Sequence, residues 1–347
     1  MPNNVIQNTL GDIGHSQNFV TILKLCTLQS PTFQVLTILQ HIGKDNRINS
    51  IFGFCQHAKK INLDLFSNIE DEEFKNRKNK IGQTDIKYIK SASILTEAKG
   101  FMNAYDYTLN PYSGCSFGCN YCYAAFFARS NDEKDNWGNW LKVKENALQL
   151  LIKKRKKPLI NKTIYISSVT DPYQPIERQL ELTRSILKEL LTFHKPRLVI
   201  QTRSSLVTRD IDLLKQFEIA QVNMTVTTDS EDVRKSFEPL CPSNKSRLKA
   251  IKEVTDAGIQ TCITMTPLLP IEDAVKFTEE LLSTGVQKFI VQPFHPDKGK
   301  FVASTRDIAF EQMKKMNWDD TKYTKVVEIF RKRLPWLGEG KQGFAPI

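Results

Sequence analysis

The chain has 347 residues, 40% of them hydrophobic, and 49 Lys and Arg against 38 Asp and Glu give it a formal net charge of +11. That length and apolar share suit one large α/β domain with an extension, and no apolar run approaches the roughly 18 residues of a membrane span. The start lacks the basic and apolar regions of a secretory signal, and seven cysteines, three of them clustered, do not read as a secreted disulfide framework. A cytoplasmic protein with no membrane partner is expected, and the positive charge makes a polyanionic partner a live option.

In chain order, residues 1–84 are rich in Asn, Gln, Ile and Leu and carry no motif. They are expected to form a mainly helical extension, with a helix over Thr32–Ile42 and a charged connector over Asp71–Lys80. Cys26 and Cys55 belong to it, with no chemistry assigned. Residues 85–347 are expected to hold the main domain. A strand precedes the loop Asn110-Pro-Tyr-Ser-Gly-Cys-Ser-Phe-Gly-Cys-Asn-Tyr-Cys-Tyr123. A helix over Asn146–Ile152 then closes in Lys153-Lys-Arg-Lys-Lys157, where cations favour a helix C-terminus; a solvated helix end and a polyanion contact both account for that run.

Beyond it, short apolar strands alternate with amphipathic helices. Strands are expected over Thr163–Ser168, Leu198–Thr202, Gln221–Thr227, Gln260–Thr266 and Lys288–Gln292. Between them fall helices near Leu180–Phe193, Asp210–Phe217, Ser246–Ala257 and Glu272–Ser283, with Gly258 and Gly285 as stop signals. Such alternation implies a parallel sheet, and the strand before the cysteine loop brings the count to about six βα units. Strand period then separates two faces. Leu198/Ile200, Val222/Met224 and Ile263/Met265 would pack under helices; Val199/Gln201, Asn223/Thr225 and Cys262/Thr264 would line a cavity. In barrels of this kind ligands gather at the C-terminal ends of the strands.

Cys115, Cys119 and Cys122 make a C-x3-C-x2-C spacing in a glycine-punctuated loop. Cysteine thiolates typically hold iron–sulfur clusters, and three are one short of closing a [4Fe–4S] cluster, which leaves one iron open. A zinc site is the alternative, but it normally closes with a fourth Cys or His, and the nearest histidines in sequence are His57 and His194.

The cysteine spacing, with Tyr121 before the third cysteine, resembles the radical S-adenosylmethionine (SAM) superfamily. Asn110-Pro-Tyr-Ser-Gly-Cys115, Thr170-Asp-Pro-Tyr-Gln-Pro-Ile-Glu177, Phe237-Glu-Pro239, Pro242-Ser243 and Arg247-Leu248 extend the resemblance to its spore photoproduct lyase-like branch. It covers about Tyr105 to Gln292 and implies a partial (β/α)6 barrel, with SAM chelating the open iron. It also implies an electron from a reduced flavodoxin or ferredoxin and a 5′-deoxyadenosyl radical that takes hydrogen from substrate. By the same resemblance Arg203 would lie near the SAM carboxylate. Thr227, Thr228 and Asp229 would meet its ribose or amino group, and Tyr121 and Tyr123 its adenine. Ser168 and Asp171 would border the cofactor, and Tyr173, Gln174, Glu177 and Arg247 would face cofactor or substrate.

One departure matters. In the lyase a cysteine before the Asp of the second strand returns hydrogen to the product radical. Here that stretch reads Tyr165-Ile-Ser-Ser-Val-Thr-Asp171, without a thiol, so thymine-dimer repair is not expected. Cys241 and Cys262 are the remaining thiols that could donate. The substrate is then a nucleic acid or base, for which the charge and Trp137, Trp140, Trp318 and Trp336 speak. A peptide or small metabolite is the alternative, though no cysteine follows Cys262 to hold a second cluster, and a non-catalytic iron–sulfur binder is the third reading.

Overall fold

The computed structural model describes residues 77–294, 306–340, 344 and 346. The chain divides into two units, Met1–Arg77 and Lys78–Ile347, and all described residues but Arg77 belong to the second. Cys26, Cys55 and the helix expected over Thr32–Ile42 lie outside the described residues.

Twelve strands occur among the described residues: β1 Lys80–Ile81, β2 Thr84–Ile89, β3 Leu95–Glu97, β4 Tyr107–Leu109, β5 Tyr112–Gly114, β6 Trp140–Lys144, β7 Thr163–Ile166, β8 Arg197–Thr202, β9 Ala220–Thr225, β10 Gln260–Met265, β11 Lys288–Val291 and β12 Trp336–Glu339. Eight form one sheet in the order β12-β11-β10-β9-β8-β7-β4-β3. Every neighbouring pair in it is parallel except β3 with β4. The run from β4 to β11 supplies six parallel strands with helical segments between successive ones, which is the expected α/β partial barrel. Two further elements went unread in the sequence: β12 adds a seventh parallel strand beside β11, and β1, β2, β6 and β5 form a separate four-stranded sheet.

The two-faced strands behave as their period dictates. Ile164, Ile166, Leu198, Ile200, Val222, Met224, Ile263 and Met265 are all sealed in one core with Ile186, Leu187, Ile251, Val254, Phe277 and Leu281 from the flanking helices. Burying each such side chain stabilises by about 1.5–3 kcal/mol, enough in sum to fix the register against a one-residue slip. On the opposite faces the polar side chains bond to one another around Gln201, which is half-buried. Gln201 Nε2 donates to Thr225 Oγ1 at 2.7 Å and Thr264 Oγ1 at 2.9 Å, while its Oε1 accepts from Tyr165 at 2.8 Å. Four strands are thereby cross-bonded in a polar layer whose members satisfy one another, as buried polar groups must be. Cys262 lies one pleat below this layer on the same face, fully buried, and burial pushes its thiol up to about 12.

Helix ends follow local chemistry. Ser243 caps helix Asn244–Asp256 by accepting from Ser246 N, and Asp273 caps Ala274–Leu282 through Val275 N and Lys276 N. The long helix expected near Leu180–Phe193 is broken into Glu177–Leu180, Leu182–Glu189 and a π-helical turn Leu190–His194. The break falls at Glu181, whose φ of 46° stops the first segment. Among the tryptophans, Trp137 is buried and meets half-buried Trp140 edge-on at 5.6 Å, so this pair packs in the same cluster as the cysteine loop.

Candidate functional site

The cysteine loop lies in the connection between β5 and β6, neighbours in the four-stranded sheet. β5 ends at Gly114, whose φ of +81° and contact with Trp140 leave no room for a side chain. A Cβ there would meet the indole at 2.6 Å. Gly118 (φ +56°) and Gly138 (φ +106°) press backbone to backbone; a Cβ on Gly138 would stand 2.9 Å from Gly118 Cα. Gln174 pins the first half of the loop: its Oε1 accepts from Ser116 N at 2.7 Å and Ser116 Oγ at 3.1 Å. Asn120 pins the second half, with its N–H on Phe237 O at 2.8 Å and its side chain on Ser236 O at 2.9 Å.

Held this way, the loop brings its thiols to the C-terminal ends of the parallel strands. Cys115 and Cys119 are buried and Cys122 is half-buried. Cys241, from the loop after helix Glu231–Phe237, joins them, with its Sγ 3.5 Å from Cys119 Sγ. Burial pushes the Cys115, Cys122 and Cys241 thiols up, and the Arg203 guanidinium works against that rise in all three. Arg203, the residue after β8, donates from Nη1 to Cys119 Sγ at 2.9 Å, Tyr121 OH at 2.9 Å and Glu238 Oε1 at 3.1 Å.

Glu238 is the hub that the sequence reading quoted within a motif but gave no role. It is fully buried. Burial alone would raise its carboxyl, but Arg247 and Arg203 more than reverse this and hold it at about 2. It accepts from Tyr121, Arg203 and Thr227 on one oxygen and from Arg247 on the other. The sequence signal was a Glu and an Arg nine residues apart, both in motif fragments, with no apolar reason to be there.

The remaining expected site residues divide into two groups. Asp171 lies at the mouth, where it accepts from Tyr173 N at 2.9 Å, Thr202 Oγ1 at 2.8 Å and Arg203 N at 2.9 Å, and so fixes the backbone that carries Arg203. Tyr121 joins the Glu238 hub. Tyr123 is 42% exposed, and its hydroxyl donates to the Ser168 carbonyl. Ser167, between strand and mouth, has φ 73° and a buried hydroxyl with no hydrogen-bond partner.

Others are brought to protein partners and sealed away from the mouth. Arg247 is fully buried on Glu238, Pro242 O and Thr225 O, so the expected substrate contact gives way to an internal ion pair. Gln174 and Glu177 are also fully buried. Glu177 meets Tyr112, Thr183 N and Arg209, and burial raises its carboxyl to about 7. Tyr173 is buried in the main core beside Arg209. Thr228 donates to Pro270 O and accepts from Ser230 N, and Asp229 accepts from Glu272 N and Asp273 N; both brace turns. Cys262 stays beneath the Gln201–Thr225–Thr264 layer, apart from the other thiols.

The donor chemistry fits an iron–sulfur cluster better than a lone metal ion. Among the described residues no three Cys, His, Asp or Glu side chains stand close enough to hold one ion. Tetrahedral zinc needs its thiolates about 2.3 Å from a common point. A cluster distributes its cysteines over separate irons, so three cysteines from one buried loop, with a cation on one of them, suit it.

Residues 109–281 match the family model described as the Radical SAM superfamily. Over 164 residues the chain is 39% identical to an uncharacterised protein of Methanocaldococcus jannaschii, a match spanning 47% of this chain and 61% of that one. An uncharacterised protein of Acidianus two-tailed virus is 26% identical over 238 residues, 64% of this chain and 75% of the other. Among solved structures, a cysteine-to-serine variant of spore photoproduct lyase superposes with a TM-score of 0.50 at 17% identity, covering 73% of this chain and 81% of that one. A second variant of the lyase, bound to dinucleoside spore photoproduct, gives the same score and identity. At such identity the likeness is one of fold.

Proposed function

We propose, from the premise that residues 109–281 belong to the Radical SAM superfamily, that Cys115, Cys119 and Cys122 hold a [4Fe–4S] cluster and that the adjoining mouth binds SAM. The observation that carries this reading is the placement of three loop cysteines at the ends of six parallel strands, with Arg203 bonded to Cys119 Sγ. When bound, the cluster supplies the electron that splits SAM into methionine and a 5′-deoxyadenosyl radical, and a reduced flavodoxin or ferredoxin replenishes it.

The protein's share is positioning. Arg203 uses Nη1 on Cys119, Tyr121 and Glu238, while its Nε and Nη2 make no hydrogen bond among the described residues. Those two nitrogens form the fork that a ligand carboxylate takes bidentately. Glu238 and Asp171 lock the guanidinium and its backbone in place. The unpartnered Ser167 hydroxyl offers a further hydrogen bond to what enters, and the Tyr123 ring forms an exposed wall. Gln174, Glu177, Thr228 and Arg247 support the frame without touching the ligand.

For the substrate, the +11 charge and the fold shared with a lyase that holds a dinucleoside lesion support a nucleic acid or base. Thymine-dimer repair is not the reaction, since Ser167 and Ser168 carry no thiol and a serine O–H is too strong a bond to quench a carbon radical. Cys241 is the remaining thiol at the mouth.

Anaerobic reconstitution should give about four irons per chain, and alanine at any one of the three cysteines should abolish the cluster spectrum. Reduced protein should then release 5′-deoxyadenosine from SAM. Stoichiometric zinc without iron or sulfide in anaerobically purified protein would refute the assignment. Deuterium carried into 5′-deoxyadenosine from a labelled oligonucleotide, and from no peptide, is the expected substrate result.

A further inference from the structure

Cys241 is the buried nucleophile that the proposed chemistry leaves without a settled task. Its Sγ lies 3.5 Å from that of Cys119, across 122 residues of sequence. Both segments are tied to each other and held firmly. Asn120 bonds Phe237 O and Ser236 O, which couples the cysteine loop to the segment leading into Cys241. Arg234 Nη1 donates to Glu238 O at 2.9 Å and Cys241 O at 3.0 Å, and Arg247 Nε donates to Pro242 O at 2.9 Å. Arg203 meanwhile fixes Cys119 Sγ from the side. Two thiols facing each other on cross-tied segments need to close only a short gap to reach the roughly 2.05 Å of a disulfide.

We propose that Cys241 is the resolving cysteine for Cys119, forming a reversible Cys119–Cys241 disulfide in the cluster-free protein when peroxide is present. The inference rests on the reading of Cys119 as a cluster ligand. The steps balance. Cys119 gives up its thiol proton and attacks one oxygen of hydrogen peroxide, the O–O bond breaks, and Cys119 becomes a sulfenic acid as the departing hydroxide takes that proton and leaves as water. The Cys241 thiol then loses its proton as its sulfur attacks the Cys119 sulfur, the S–O bond breaks, and the departing hydroxide takes that proton and leaves as a second water. Two thiols are oxidised by two electrons and one peroxide is reduced. Without a resolving partner, a sulfenic acid exposed to more peroxide proceeds to the sulfinic acid, which thiol reductants do not reverse. A sulfur in a disulfide cannot also ligate iron, so oxidation and cluster loading exclude one another. Reduction of the disulfide returns the ligand intact.

The test uses full-length cluster-free protein treated with a slight excess of hydrogen peroxide, with and without later thiol reduction and anaerobic iron–sulfide reconstitution. Mass spectrometry of non-reduced peptides should find Cys119 joined to Cys241, and the reduced wild type should recover most of its iron. Cys241→Ser should load iron like wild type before peroxide. After it, the variant should carry sulfinic acid on Cys119 and lose most of its iron-binding capacity. A dominant Cys115–Cys122 disulfide, or equal recovery by Cys241→Ser, would overturn the proposal. If untreated protein never binds iron, the cluster reading fails while the peptide cross-link still reports on the thiol pair.

Discussion

Glu238 shows how one residue can organise a site without touching substrate. Its carboxylate bridges the fully buried Arg247 guanidinium and the half-buried one of Arg203, and Tyr121 and Thr227 complete its lone pairs. Glu238→Gln leaves two cations underpaired in a dry setting and should cost about 3–5 kcal/mol in urea unfolding. The same change should weaken SAM binding, because Arg203 loses its anchor; unchanged affinity would show that Arg203 is held by other means. Glu177 gives a test through pH. Its carboxyl stands at about 7 in the fold against roughly 4.3 in an unfolded chain. The fold thus favours the protonated form, and this stabilisation is fully present below pH 4.3 and is lost as pH rises through about 7. Glu177→Gln should remove up to about 3 kcal/mol of that pH dependence, read as a flatter melting temperature between pH 4 and 8. Neither role was legible in sequence. A Glu in a motif reads as a ligand contact, and only three-dimensional packing shows that Glu177 and Arg247 are sealed among protein groups.

At the scale of elements, the cysteine loop depends on glycines for space as much as for conformation. Its glycine punctuation was visible in sequence, but the reason for Gly118 was not, since Gly138 approaches it from across the β5–β6 turn. Both have positive φ, and a Cβ would stand 2.9 Å from the facing Cα at Gly138 and 3.1 Å from it at Gly118, so a methyl group at either forces the backbones apart. Gly118→Ala or Gly138→Ala should displace the loop at a cost of about 1–3 kcal/mol. Iron content should fall while far-UV circular dichroism stays near that of wild type; full iron loading in either variant would show that the loop tolerates the shift. Strands were the better-read elements, because alternating apolar residues such as Val222 and Met224 leave a period-2 trace. Helix limits were read less well. The break at Glu181 has no Gly or Pro to announce it, and the helix expected over Asp210–Phe217 is a short 3-10 segment Ser205–Asp210 followed by Ile211–Leu214.

For the whole molecule, the six-fold strand–helix repeat was legible because it recurs, and the self-bonded polar layer was not. Gln201, Thr225 and Thr264 share the face expected to line a cavity, and nothing in sequence announces that they also bond one another. The charge makes a prediction at this scale. If the +11 balance serves nucleic acid binding, affinity for single-stranded DNA should fall at least about tenfold between 50 and 200 mM salt, measured by fluorescence anisotropy. Absence of any binding at low salt would turn the substrate search to peptides and metabolites.

The ties across the cysteine loop also set an order of events during synthesis. Gln174, which holds Ser116, lies 58 residues downstream, and Asn120 waits for Ser236, 116 residues downstream. When the three cysteines leave the ribosome, neither Gln174 nor Ser236 has yet been made. The cradle closes only after β9 and the helix behind it have joined the sheet. If the loop holds the proposed cluster, its iron must arrive late, on a chain already folded as far as Phe237.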